Sequence, residues 1–231
     1  MDDNDKIRIK LDELKKQRTP KYKDDDKQKN FYVGVVKNTP YMPDLTMINL
    51  MSISNLLNRR LIYITVTGSA LTVARRNLFN QIKENIIKNG DDVDLSYVLL
   101  IDSDILIRNS PNELSEIFKE AEQKDINISG YYKKVNNTSV IIGVGSNDEY
   151  PVLLDEQHED WNKYNNYIPT YKKWYYPIGF YYGRYLPYNY IWRMDNKGED
   201  IYFNEDNDFL WSRTYVDKRI KLAHIKEISI Y

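Results

Sequence analysis

Three short runs in the chain, residues 31–36, 61–66 and 97–101, are almost wholly apolar and rich in β-branched and aromatic side chains. Runs of this length and make-up predict strands, the first and third of them buried. Between them the apolar positions change to helical spacing. Asp44 can cap a helix that carries Leu45, Ile48, Leu56 and Leu57. A second helix begins near Leu71, sets Leu78, Ile82 and Ile86 on one face, and stops at Gly90, where a left-handed cap belongs. Ser110-Pro111-Asn112-Glu113 predicts a third start: serine caps, proline takes the first helical position, and glutamate closes a capping box. Leu114, Ile117, Phe118 and Ala121 then form its apolar stripe. Residues 126–132 and 139–144 predict two more strands, antiparallel because so little chain connects them. The alternation predicts an α/β sheet, parallel in its first half.

The pattern fails at two places. Residues 1–30 are dense in charge and nearly free of large apolar side chains after Leu14, so they read as a tail or arm. Ile7, Ile9, Leu11 and Leu14 allow a short amphipathic patch there, with peripheral membrane contact as the minority reading. Residues 150–195 have no clean period and hold an excess of tyrosine, with twelve of the chain's 21 between Tyr150 and Tyr202. A long aperiodic stretch inside a domain is usually functional or partly disordered. The expected organisation is a tail over 1–30 and one domain over 31–231.

Composition narrows the classes. A formal net charge of -1 provides no global field for nucleic acid or an anionic membrane. The absence of cysteine excludes disulfides, thiolate metal sites and a cysteine nucleophile. There is no apolar stretch of spanning length and no apolar leader, so the expectation is a soluble, cytoplasmic protein. Asn136 and Asn137, each at an Asn-x-Ser/Thr match, then carry no glycosylation meaning.

The candidate chemistry begins at Asp102-Ser103-Asp104, directly after the apolar run 97–101. An unpaired buried charge is very costly, so a buried strand must deliver these acids at its end. Open α/β sheets place ligands outside the carboxyl ends of their strands. If the segment stays extended, alternate side chains share a face, and Asp102 and Asp104 can address one hard cation.

Further stretches join this one in a fixed order. Ala74-Arg75-Arg76-Asn77 lies upstream; Gly198-Glu199-Asp200-Ile201-Tyr202-Phe203, Tyr215-Val216-Asp217 and Ile220-Lys221-Leu222-Ala223-His224-Ile225 follow. The set resembles nucleotide-sugar glycosyltransferases of GT-A fold, especially the family 2 type, over most of residues 31–225. In that family an Ala-Arg-Asn element precedes the Asp-x-Asp strand, a Gly-Glu-Asp element opens a helix, and a strand leads to a histidine. The resemblance implies a Rossmann-like nucleotide-binding half with a mixed central sheet (31–145) and an acceptor-side, catalytic half (146–231).

It also implies roles. Asp104 binds a divalent cation directly, Mn²⁺ ahead of Mg²⁺. Asp102 contacts it through water or holds the ribose, and His224 supplies a third contact. Arg76 takes the nucleotide, with Arg75 as its rival. Asp200 is the base that takes the proton of the acceptor hydroxyl, and Glu199 either holds the acceptor or shapes the helix start. The implied partners are a nucleoside-diphosphate sugar and a glycan, lipid or protein acceptor; an oligomer is allowed. The implied reaction is a single, inverting sugar transfer.

The chain departs from the family pattern in several places. Leu210 and Trp211 stand where a small residue and glycine are common. Thr67-Gly68-Ser69 follows the second strand without the acid that reads the base, and the Gln-x-x-Arg-Trp element of processive relatives is missing.

The aromatic stretch supplies a candidate acceptor wall, with Trp161, Trp174, Tyr175, Tyr176, Tyr181, Tyr182, Tyr188, Tyr190 and Trp192. Core packing explains each ring singly as well or better. Ile178-Gly179-Phe180 loosely resembles the family's Gly-Phe element near the sugar. Two other classes stay open: a nucleotidyltransferase making nucleotide sugars, and a non-catalytic carbohydrate-binding or structural relative. The first wants a glycine-rich basic loop after the first strand, where Lys37-Asn38-Thr39-Pro40 stands. The second is opposed by the presence of Asp102, Asp104, Asp200 and His224 together.

Overall fold

In the computed structural model the apolar run 31–36 becomes the heart of β1 (Asn30–Lys37), whose side chains alternate between two cores. The structure describes residues 28–37, 44–67, 71–133, 139–144, 151–155, 159–169, 179–185 and 213–224. Phe31, Val33 and Val35 face one core and Tyr32 and Val36 the other, as the period of two in a strand requires. β2 (Arg60–Thr67) and β3 (Tyr97–Asp102) run parallel to β1 on either side of it.

Helices cover both faces. α1 (Asp44–Leu56) and α3 (Pro111–Lys124) close the core around Phe31, Val33, Tyr97 and Leu99, and α2 (Leu71–Lys88) closes the other with Leu78, Ile82 and Ile86. α2 can lie close to the sheet because residue 34 is glycine: a Cβ there would stand 2.7 Å from Ile82 Cδ1. α3 starts as its sequence predicts, with Ser110 and Glu113 capping each other's backbone, and it buries the expected stripe. α2 ends at Gly90 with φ 74°, the left-handed position that favours glycine.

The first helix turns out differently from expectation. Leu50 and Ile53 are its buried apolar residues, joined by Thr46, Asn49 and Ser54, while Ile48 is 60 % and Leu56 40 % exposed. The polar side chains are satisfied inward, Thr46 Oγ1 by Ile105 O at 3.5 Å and Ser54 Oγ by Arg59 O. Met47, Leu50 and Ile53, one turn apart, seat this face in the core, and the polar Thr46, Asn49 and Ser54 share it.

The structure adds strands that the pattern hid: β4 (Ile105–Ile107) in the first half, and β7 (Pro151–Asp155), β8 (Tyr167–Pro169) and β9 (Phe180–Arg184), with the short α4 (Glu159–Lys163), in the second. β5 (Asn127–Lys133) and β6 (Ser139–Val144) pair antiparallel, as expected, and β10 (Thr214–His224) runs parallel to β5. The ten strands form one mixed sheet whose main path is β2-β1-β3-β9-β5-β10-β4. β9 sits in the middle, antiparallel to both β3 and β5. Among the described residues no helix is long and apolar enough to cross a membrane.

β9 also fixes the fate of its aromatic residues. Tyr182 stacks on Phe118 with ring centroids 3.8 Å apart, and its hydroxyl donates to Glu122, which Arg59 clamps through both carboxylate oxygens at 2.7 Å each. Burial, then the neighbouring Glu122 charge, pushes the Tyr182 hydroxyl well above its ordinary pKa, so it stays a neutral donor. Trp161, Tyr181 and Tyr182 are core residues and no part of an acceptor wall, and Phe180 is fully buried beside them. Phe118→Ala should therefore cost about 3–5 kcal/mol of stability. Urea unfolding should show a lowered midpoint at an unchanged slope; a slope change would mean that compactness, not packing, was altered.

Candidate functional site

β1, β2 and β3 point the same way, so Lys37, Thr67 and Asp102 end at one edge of the sheet. β3 is buried from Tyr97 to Ile101 and emerges at Asp102. Two backbone hydrogen bonds hold the emerging chain: Asp102 N–H donates to Gly179 O at 2.9 Å, and Ser103 N–H donates to Val36 O at 3.1 Å. The acid-bearing turn is thus tied to the start of β9 on one side and to β1 on the other. Ser103 and Asp104 form a turn into β4, so the extended segment that would set both acids on one face stops at Asp102.

Asp102 is met by an arginine. Arg75, near the start of α2, donates from Nη2 to Asp102 Oδ2 at 3.0 Å, with side chains 5 % and 15 % exposed. Arg76, the next residue, is exposed on the same helix. The ion pair is largely shielded from water, so removing either partner takes a nearby opposite charge from a nearly buried one.

Asp104 is 5 % exposed. β4 begins at the following residue and pairs antiparallel with β10, setting Ile105 opposite His224. The backbone of His224 therefore arrives one residue from Asp104, at the end of an eleven-residue strand that starts far away at Thr214. The His224 side chain lies outside the described residues, as do Glu199, Asp200, Leu210 and Trp211. So do Trp174, Tyr175, Tyr176, Tyr188, Tyr190 and Trp192 of the proposed acceptor wall, and the loop after β1. Among the described residues no group of three or more His, Cys, Asp or Glu gathers to hold a metal ion.

β10 carries a second charged centre that sequence reasoning missed. Asp217 is fully buried and accepts from Arg219 at its backbone N, Nε and Nη2. Arg219 also reaches Glu120 of α3 at 2.6 Å and Tyr167 Oη at 2.8 Å. Lys124, then Arg219, holds the Glu120 carboxyl down at about 2. These residues sit where the β5–β10 register breaks between Val216 and Lys221, so they stitch an irregular stretch of strand to α3. The sequence signal was the spacing of Asp217 and Arg219, two residues apart in a strand pattern.

No protein-family model matches the chain, and no curated protein matches it. The placement of Arg75 makes a direct prediction. Arg75→Met should destabilise the fold by about 1–3 kcal/mol, the lower end reflecting residual solvent at Asp102, whereas Arg76→Ala should stay within about 0.5 kcal/mol. Thermal and denaturant unfolding of the two variants checks it, and equal losses would show that Arg75 contributes no more than a surface arginine.

Proposed function

We propose that this chain is a metal-dependent, inverting, non-processive glycosyltransferase of GT-A type, moving a sugar from a nucleoside-diphosphate donor to an acceptor hydroxyl. The observation that carries the reading is the convergence at the carboxyl edge. The Asp102-Ser103-Asp104 turn, Arg75 and the backbone of His224 come from three distant parts of the chain and meet there. The order of elements that resembles the family is also the order in which these pieces reach the site.

The donor set fits a hard divalent cation. Asp104 would hold it, with Asp102 beside it and His224 as the imidazole contact; oxygen with one nitrogen suits Mn²⁺ and is compatible with Mg²⁺. When bound, the cation supplies Lewis-acid stabilisation of charge on the leaving diphosphate. Arg75 holds the Asp102 carboxylate in place through its Nη2. This moves to Arg75 the part that the resemblance assigned first to Arg76.

The acceptor hydroxyl needs a base within hydrogen-bond reach. By resemblance that base is Asp200, which accepts the proton as the oxygen attacks the anomeric carbon opposite the diphosphate, giving inversion. One base suffices, since protonating the leaving group by a second carboxylic acid is a feature of glycoside hydrolysis.

Two measurements test the reading. Nucleoside diphosphates with Mn²⁺ should raise the unfolding temperature of the wild type, because a ligand of the native state stabilises it. Asp104→Ala should lose the metal-dependent part of that shift, and an unchanged shift would remove Asp104 from the metal shell. Asp200→Asn should keep the shift while transfer falls by about 10² to 10⁴. Transfer that survives in this variant would overturn the assignment of the base. Release of pyrophosphate instead of a nucleoside diphosphate would favour the nucleotidyltransferase class.

A further inference from the structure

β2 ends the sheet: it pairs with β1 on one side and has no strand on the other among the described residues. Its eight residues, Arg60 to Thr67, contain one charge, at the first position, and no proline. Exposed edges in monomeric proteins usually carry inward charges, prolines or bulges that stop another chain from pairing. β2 has none of these beyond Arg60. The Arg60 N–H donates to Lys29 O of the β1 side at 3.1 Å, so in a parallel ladder Leu61 and Thr65 turn their backbone N–H and C=O groups outward.

The apolar surface follows the same end of the molecule. The large hydrophobic side chains exposed among the described residues are Ile48, Met51 and Leu56 of α1 and Val73 and Ile87 of α2. These are the two helices that pack at the β1–β2 end of the sheet, one on each face. α1 carries no charged residue after Asp44.

We propose that the β2 edge is the interface of a two-fold dimer of this chain, with β2 pairing antiparallel to its own copy. Setting Leu61 of one copy opposite Thr65 of the other lets the outward backbone groups of both bond across the axis. In that register each Arg60 faces Val66 of the second copy, and the two Arg60 residues lie about 20 Å apart, beyond a Debye length of about 8 Å. No like charges are opposed. The size also fits. Eight residues at about 3.3 Å give an edge about 26 Å long, and helices of about 10 Å on each face make it about 30 Å across. That is about 800 Å² per copy, the standard size of a stable specific interface. Pairing joins the two sheets into one and leaves the carboxyl-edge site of each copy on its own three-layer body.

Sedimentation velocity on the full chain, from about 1 to 100 µM, provides the test. The expected species has twice the 27.6 kDa chain mass. Thr65→Lys, which sets a charge at the pairing edge, and Ile48→Glu, on the exposed face of α1, should each weaken association at least about 10-fold, with circular dichroism showing the fold intact. Hydrogen exchange at the Leu61 and Thr65 amides should slow as the dimer forms. A wild type that stays monomeric throughout would overturn the proposal. So would a dimer that both variants leave unaffected, or one in which those two amides exchange as fast as in the monomer.

Discussion

The burial of β3 governs where chemistry can occur in this molecule. That strand has helices over both faces and a neighbour along each edge, so from Tyr97 to Ile101 nothing charged is tolerated. The first residue allowed to carry charge is the one at which the strand leaves the core, and it is Asp102. Even there the acid is mostly shielded, and it is paired with the Arg75 guanidinium, itself nearly buried. The same exit turn must hand the chain back into the sheet as β4, which places Asp104 next to the end of β10. A packing constraint on one strand thus gathers the Arg75, Asp102, Asp104 and His224 positions.

Much of the first half could be read from the order of residues, because each element there answers to one dominant force. Buried parallel strands write themselves as apolar runs, and α3 writes its start in four residues of capping chemistry. The second half was legible only in part, because its elements serve two masters. β9 is five residues long, centrally placed, and built of aromatic residues whose hydroxyls must be satisfied inside the core. Tyr182 resolves this through Glu122 and Arg59, and Tyr181 through the Arg184 carbonyl at 2.9 Å. Both partners of Tyr182 lie more than fifty residues away along the chain, so a window over the local sequence sees only a polar-tipped ring and offers a sugar platform as readily as a core.

The site shows the same division. That Asp102 ends a buried strand is a local fact, and residue order carried it. Which of two adjacent arginines meets it is a matter of helix rotation, set by how Leu78, Ile82 and Ile86 seat against Gly34 and its neighbours. Rotating α2 by one residue, about 100°, would exchange Arg75 and Arg76. A sequence motif names the pair; only the packing of the helix's apolar face selects the member that is buried.

This selection also has a consequence for how the edge works. An exposed arginine would be free to follow an anionic ligand, at an entropic cost for ordering a long side chain. Arg75 is already ordered by Asp102, so the carboxylate at this edge is held in one orientation before any ligand arrives. The cost is carried by the folded state, which must keep a guanidinium and a carboxylate mostly away from solvent. The hydrogen bonds that Asp102 and Ser103 make through their backbones to Gly179 and Val36 are what hold that pair in register. The acid turn is thereby tied to α2 through Arg75, to β1 through Val36 and to the residue before β9 through Gly179.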